Sequence, residues 1–262
     1  MDNLHNALLE IFDYRKQFEP ELDFVEDEYK YGGVMQQDFD DYDFFALKQD
    51  LSEDKIKSSL DEMIKFYTRV KDETFKKFSF FSRSKIVESL LKDAGLKSNG
   101  EPRVIAFMEC TVGEENKWDL NGLPKNLQVV DLDKENIDEA VELNVEVFEM
   151  RKGAKPQYIE YFINPEAKRA FWVNAKLDGK IVGTAAMYLC DDFAFITDVT
   201  VSSKHRRKKI ATKLFHYLHG MAKANETPKI MLNAEAGAVA LYEKIGYESF
   251  ASFYVYALTK IS

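Results

Sequence analysis

The residues best suited to chemistry lie in one run. Val201 to Leu214 read VSSKHRRKKIATKL, just after an apolar stretch, FITDV (Phe195 to Val199), that carries one acid, Asp198. Apolar residues at Ile210, Ala211, Leu214, Leu218, Met221 and Ala222 recur at helical spacing, so the run reads as strand, short basic loop, helix. A helix N-terminus presents unpaired N–H groups and a partial positive charge, and here Lys204, Arg206, Arg207, Lys208 and Lys209 surround it. Such a site suits a polyanion, and a pyrophosphate fits it best. A second run, LYEKIGY at Leu241 to Tyr247, follows after one more strand and within a second helix, and its Tyr242 is a phenol able to donate a hydrogen bond.

The elements around these residues alternate. Leu127 to Leu132 reads as a strand. Lys134 to Met150 reads as a helix with Ile137, Ala140, Val141, Asn144, Val147 and Phe148 on one face, and Gln157 to Asn164 as a short helix ended by Pro165. Phe171 to Leu177 and Ile181 to Leu189 are strands joined at Asp178-Gly179-Lys180, a hairpin signal, and Phe193 to Val201 is a third. Lys229 to Leu232, Ala238 to Lys244 and Ser252 to Leu258 give strand, helix, strand. The order β-α-α-β-β-β-α-β-α-β predicts an α/β fold with a mixed, largely antiparallel sheet flanked by helices. A polar stretch with Gly and Pro, VGEENKWDLNGLPKN, separates this half from the first, so the expected division is a domain at 1–111, a linker at 112–126 and a domain at 127–262.

In the first half, helices are expected at Met1 to Phe18, Ser52 to Val70 and Ser84 to Ala94. Strands are expected within DYDFFALK (Asp41 to Lys48), at Phe75 to Phe81 and at Val104 to Glu109. The succession helix, strand, helix-Gly-apolar, strand repeats the end of the second half, with Gly95-Leu96 standing where Gly246-Tyr247 stand.

The strand, the basic loop, the helix and LYEKIGY together resemble the acetyl-CoA-binding half of the GNAT superfamily of N-acetyltransferases, and the resemblance covers the second half. The first half then reads as a degenerate GNAT-like repeat, making the chain a tandem. The family's loop pattern is Arg or Gln, two residues, Gly, one residue, Gly or Ala. Arg206 and Ala211 fit it, and Lys209 stands where a glycine is usual. The resemblance implies that the backbone N–H groups of Arg207, Lys208, Lys209, Ile210 and Ala211 hold the pyrophosphate of acetyl-CoA. Arg206, Lys204 or Lys208 would pair with its ribose phosphate. It implies that Val199, Thr200 and Val201, on a bulged and splayed strand end, pair with the pantetheine arm, one N–H polarising the thioester carbonyl. Tyr242 would stabilise the leaving thiolate, and Asp198 would orient or deprotonate the amine. Thr197 stands where relatives often carry Glu. Asn233 lies near the family's cofactor-contacting Asn, with Glu235 in the aligned position.

The resulting expectation is transfer of acetyl from acetyl-CoA to a primary amine of a small molecule or peptide. A non-catalytic acyl-CoA sensor or interaction module is the alternative, fed by Lys209, Thr197 and Glu235. The helix-loop Glu149 to Lys155, with Arg151, Lys152 and Lys155, would form a lip of the acceptor site or a solvated loop. A net charge of −9 opposes nucleic acid and anionic membrane partners, and no apolar run is long enough to cross a bilayer. Cys110 and Cys190 lack metal-ligand spacing, so no metal is expected and a reduced, cytoplasmic setting is. His216 and His219 are expected on a helix surface, and a homodimer is left open. The first half should bind no cofactor: Asp50, Glu53 and Asp54 crowd the helix start where a phosphate would sit, and Leu91 replaces the tyrosine four residues before Gly95.

Overall fold

Asp178 and Gly179 set the centre of the sheet. Both have positive φ, 49° and 84°, and they close a two-residue hairpin between Leu177 and Lys180. Two successive positive φ values match the twist of the flanking strands, and an Asp-Gly pair adopts them with little strain. In this computed structural model the described residues are 22–26, 30–35, 44–47, 51–70, 78–82, 85–86, 88–113, 118–148 and 169–260. The expected helices at Met1 to Phe18 and Gln157 to Asn164, and the cationic lip at 149–155, lie outside them.

In chain order the elements are β1 (Leu22–Glu26), β2 (Lys30–Met35), β3 (Phe44–Leu47), α1 (Glu53–Val70), β4 (Phe78–Ser82), α2 (Glu88–Asp93), β5 (Leu96–Ser98) and β6 (Arg103–Thr111). Then follow β7 (Leu127–Asp131), α3 (Ile137–Val147), β8 (Ala170–Leu177), β9 (Lys180–Leu189), β10 (Ala194–Val201), α4 (Ile210–Ala224), β11 (Lys229–Glu235), α5 (Ala236–Lys244) and β12 (Glu248–Lys260). Two compact units emerge. Described residues of Phe107–Phe250 form one, and those of Glu19–Ala106 with Ala251–Ser262 form the other.

In the unit of Phe107–Phe250 the strand order is β6-β11-β10-β9-β8-β7. Antiparallel pairs join β7 to β8, β8 to β9 and β9 to β10, while β10 and β11 run parallel. Gly183 and Thr184 are neighbours on β9, so their side-chain positions face opposite sides of the sheet. A Cβ at Gly183 would lie 3.0 Å from Cγ2 of Ile210 on α4, whereas Thr184 accepts a hydrogen bond from Asn144 of α3 at 3.1 Å. The two helices therefore cover opposite faces. The α3 face buries Ile137, Ala140, Val141 and Leu143 against Trp172, Ala186, Tyr188 and Phe195. Phe148, expected on that face, is 48% exposed, because the helix ends at Val147 and Phe148 sits at its C-cap.

Buried polar groups fix α3 to the sheet. Asn136, at its N-cap, accepts from Asn174 Nδ2 (3.0 Å) and donates to the Asp131 carbonyl (3.0 Å), and Trp172 Nε1 donates to Asn174 Oδ1 (3.1 Å). Pairing of this kind offsets the cost of taking amides out of water.

In the other unit the strand order is β1-β2-β3-β4-β12, with β3 and β4 parallel, the other pairs antiparallel, and β5 added to the end of β12. Ile56, Leu60, Met63 and Phe66 of α1 and Leu90 and Leu91 of α2 pack with Phe80, Tyr256 and Leu258. The Tyr256 hydroxyl accepts from the Ile86 N–H at 2.6 Å. The β1–β2 hairpin did not show in the sequence pattern: its second strand carries Gly32 and Gly33, which read as a loop.

Candidate active site

Strand β10 changes register where the chemistry is expected. Thr197 pairs with Ala186 and Thr200 with Thr184, so three steps on β10 span two on β9. One extra residue is accommodated around Asp198, which takes a φ of +51°. This is a β-bulge, and it turns local backbone groups out of the ladder. Registered pairing with β11 stops at Ile196–Leu232, while pairing with β9 continues to Val201–Gly183. Beyond Ile196, therefore, β10 has no registered partner in β11.

Below the bulge lies a buried polar chain. Asn144 Nδ2 donates to the Ala140 carbonyl (2.9 Å) and to Thr184 Oγ1 (3.1 Å). Thr184 Oγ1 is 2.8 Å from Thr200 Oγ1 and 3.3 Å from the Asp198 carbonyl. Asn144, Thr184 and Thr200 are all buried. The Thr200 hydroxyl is thus engaged inward, against Thr184. Asp198 and Val199 are half-buried, and Asn233 is exposed, one residue past the last β10–β11 pair.

The basic loop follows. A 3₁₀ turn over Ser203–His205 leads to Arg206, Arg207 and Lys208, all exposed, and Arg206 Nε lies 3.4 Å from the Val201 carbonyl. Arg207 and Lys209 take positive φ, 65° and 60°. Left-handed backbone costs a non-glycine residue about 1–2 kcal/mol. It also turns successive N–H groups into a concave anion-binding nest. Lys209 is the N-cap of α4, its carbonyl accepting from Lys213 N–H at 3.0 Å. The N–H groups of Ile210, Ala211 and Thr212 precede that first intrahelical bond and belong to the open end of the helix. Ile210 is buried against Gly183 and Ala211 is half-buried, so their backbones are anchored while their N–H groups remain at the loop.

The usual glycine position thus holds a lysine in the conformation that glycine would favour. Its ammonium binds Asp119 Oδ2 at 2.5 Å and the Asn121 carbonyl at 2.8 Å. These partners come from the stretch expected to be a linker. There, Trp118 Nε1 donates to the Ile245 carbonyl at 2.7 Å, and its ring stands edge-on to His219 at 4.5 Å and near His216 at 5.8 Å. This corrects the expectation for His219. It is buried rather than on the surface, with Nε2 at 2.7 Å from the Tyr247 hydroxyl, because Trp118 covers that part of α4. His216 is exposed, as expected.

Tyr242 on α5 is 7% exposed and packs against Phe215 of α4 (5.2 Å between centroids) and Tyr247 (6.1 Å). Burial alone pushes its phenol up to about 12. Among the described residues no group of three or more His, Cys, Asp or Glu could hold a metal ion, and no helix is long and apolar enough to cross a membrane.

Sequence reasoning missed Trp118, Asp119, Gly183 and Thr184. Only Gly183 left a signal, a glycine inside an apolar strand, which marks close approach of another element.

Residues 137–247 match the family model described as Acetyltransferase (GNAT) family. The chain is similar to the GCN5-related N-acetyltransferase from Kribbella flavida, at 14% identity and a TM-score of 0.64, over 97% of this chain and 96% of that one. It is similar to the GCN5-related N-acetyltransferase from Sphaerobacter thermophilus, at 15% identity and 0.65, over 89% and 77%. A tandem GNAT protein from the clavulanic acid biosynthesis pathway aligns at 11% identity and 0.59, over 93% and 84%. At such identities the likeness is one of fold. It extends over both halves, and the fold is GNAT-like, with a mixed, mostly antiparallel sheet and flanking helices. No curated protein matches the chain.

Proposed function

We propose that this chain transfers an acetyl group from acetyl-CoA to a primary amine of a small molecule or peptide. The family match over 137–247 supports acyl transfer in general. The observation that carries the finer reading is the bulge at Thr197–Thr200, which ends in the left-handed basic loop at the start of α4. The loop fits a pyrophosphate through backbone N–H groups from Arg207 to Ala211, and Arg206, Lys204 and Lys208 are exposed beside it for a further phosphate.

When bound, acetyl-CoA supplies an activated acetyl thioester and a thiolate leaving group. The Val199 to Val201 backbone orients the pantetheine arm by strand-like hydrogen bonds, and an N–H at the bulge stabilises developing charge on a carbonyl oxygen. Asp198, raised out of the ladder by the bulge, orients the acceptor amine or takes its proton. Tyr242 donates a hydrogen bond to sulfur and stays protonated, since burial opposes its ionisation.

Two observations favour a second reading. A phenol held at about 12 is a poor proton donor, and Thr197 replaces the usual acid, which suits a module that binds acyl-CoA without turnover. The test is calorimetry with acetyl-CoA followed by thiol release across a broad amine panel. Binding with turnover on at least one amine supports the transferase. Binding without turnover on any amine favours the sensor, and no binding removes both.

A further inference from the structure

We infer that Asp119 is a positioning residue for the cofactor loop: with the Asn121 carbonyl it pins the Lys209 side chain, so that a lysine holds the left-handed backbone a glycine would otherwise provide. The inference deepens the acetyl-CoA reading above and rests on it. Lys209 has φ 60° and ψ 19°, a conformation that persists in a non-glycine residue only where its surroundings determine it. Three contacts do so here. Its carbonyl starts the α4 ladder, and its ammonium binds both the Asp119 carboxylate and the Asn121 carbonyl.

The clamp is itself anchored. Asp119 Oδ1 accepts from the Asn121 N–H at 3.0 Å, so one carboxylate oxygen shapes the turn while the other meets Lys209. Trp118, the preceding residue, is fixed by its bond to the Ile245 carbonyl and its ring contact with His219. The turn is thereby held at the end of α5 and along α4 independently of Lys209. Its carboxylate is kept below the usual range first by the Lys209 hydrogen bond, then by the Asn121 N–H. The lysine charge is matched by Asp119, which leaves its backbone N–H as its contribution to a phosphate site.

The experiment measures acetyl-CoA affinity of the full chain by calorimetry for wild type, Asp119→Ala, Lys209→Gly and the double variant. Asp119→Ala should weaken binding by about fivefold, the upper range for an exposed ion pair. In the Lys209→Gly background the same change should have no effect, because glycine needs no clamp. Rescue of that kind separates loop positioning from a general structural role. An unchanged affinity for Asp119→Ala, or an equal loss in both backgrounds, overturns the inference. If wild type binds no acetyl-CoA, the functional reading falls. Thermal unfolding then decides the clamp: Asp119→Ala must lower the midpoint in the wild-type background and not in the Lys209→Gly background, and equal shifts overturn it.

Discussion

Replacing Tyr242 with Phe removes one hydroxyl from a packed site and leaves the ring contacts with Phe215 and Tyr247 in place. The phenol stands at about 12, whereas a thiol has a pKa near 8.5. Passing the proton to the leaving thiolate would then be uphill by about 5 kcal/mol, at 1.36 kcal/mol per pKa unit. A hydrogen bond to the thiolate, with the proton kept on oxygen, is the cheaper course. Loss of such a donor lowers turnover by about a hundredfold. Thiol release with the best acceptor amine should show that loss, with acetyl-CoA affinity retained. Because the phenol stays neutral, the ratio of wild-type to variant turnover should be constant from pH 7 to pH 10. A ratio that collapses toward one with an apparent pKa below 10 refutes the argument, as does unchanged turnover at any pH. Stability carries the same signature. The folded value lies above the unfolded one of about 10, so the neutral buried phenol contributes its full share below pH 10. That share is lost as pH rises through 12, and alkaline melting should lose less in Tyr242→Phe than in wild type.

Gly183→Ala places a methyl 3.0 Å from both Ile210 Cγ2 and the Thr200 carbonyl, and should destabilise the chain by about 1–3 kcal/mol and weaken acetyl-CoA binding. Denaturant unfolding and calorimetry check it; an unperturbed loop would mean that α4 gives way freely. Thr184→Val leaves Asn144 Nδ2 and Thr200 Oγ1 short of a partner under the bulge and should cost about 1–3 kcal/mol with a fall in turnover. Equal stability and activity would show the polar chain to be incidental. One acetyl-CoA should bind per chain, since α1 begins with Glu53 and Asp54 and Leu91 is buried where a tyrosine would stand. A calorimetric stoichiometry of two sinks that expectation.

The parts legible in sequence were those fixed by neighbours in the chain. Asp178-Gly179 specified its hairpin, Ile137, Ala140, Val141 and Asn144 marked the inner face of α3, and the cations before Ile210 marked the loop. The bulge was not legible, because an extra residue on β10 exists only relative to its register with β9. Nor was the clamp: Lys209 and Asp119 are 90 positions apart, and nothing local to either names the other. Burial of His219 has the same origin, since its cover is Trp118, far earlier in the chain.

Strand β12 has a bearing on how the chain is made. Ile86 meets Tyr256 across 170 positions, and Phe80 of β4, fully buried, pairs with Tyr256. At a synthesis rate of about 5–20 residues per second, roughly 10–30 s separate the appearance of β4 from that of its partner. During that interval β4 is a hydrophobic strand edge, the kind that recruits other chains. Within Phe107–Phe250 the strands β7 to β10 follow one another closely, and β6 gains its partner β11 before β12 is complete. The unit whose sequence comes first is therefore the one that closes last. A nascent chain halted near Phe250 would hold a finished cofactor loop while β4 still lacked its partner strand.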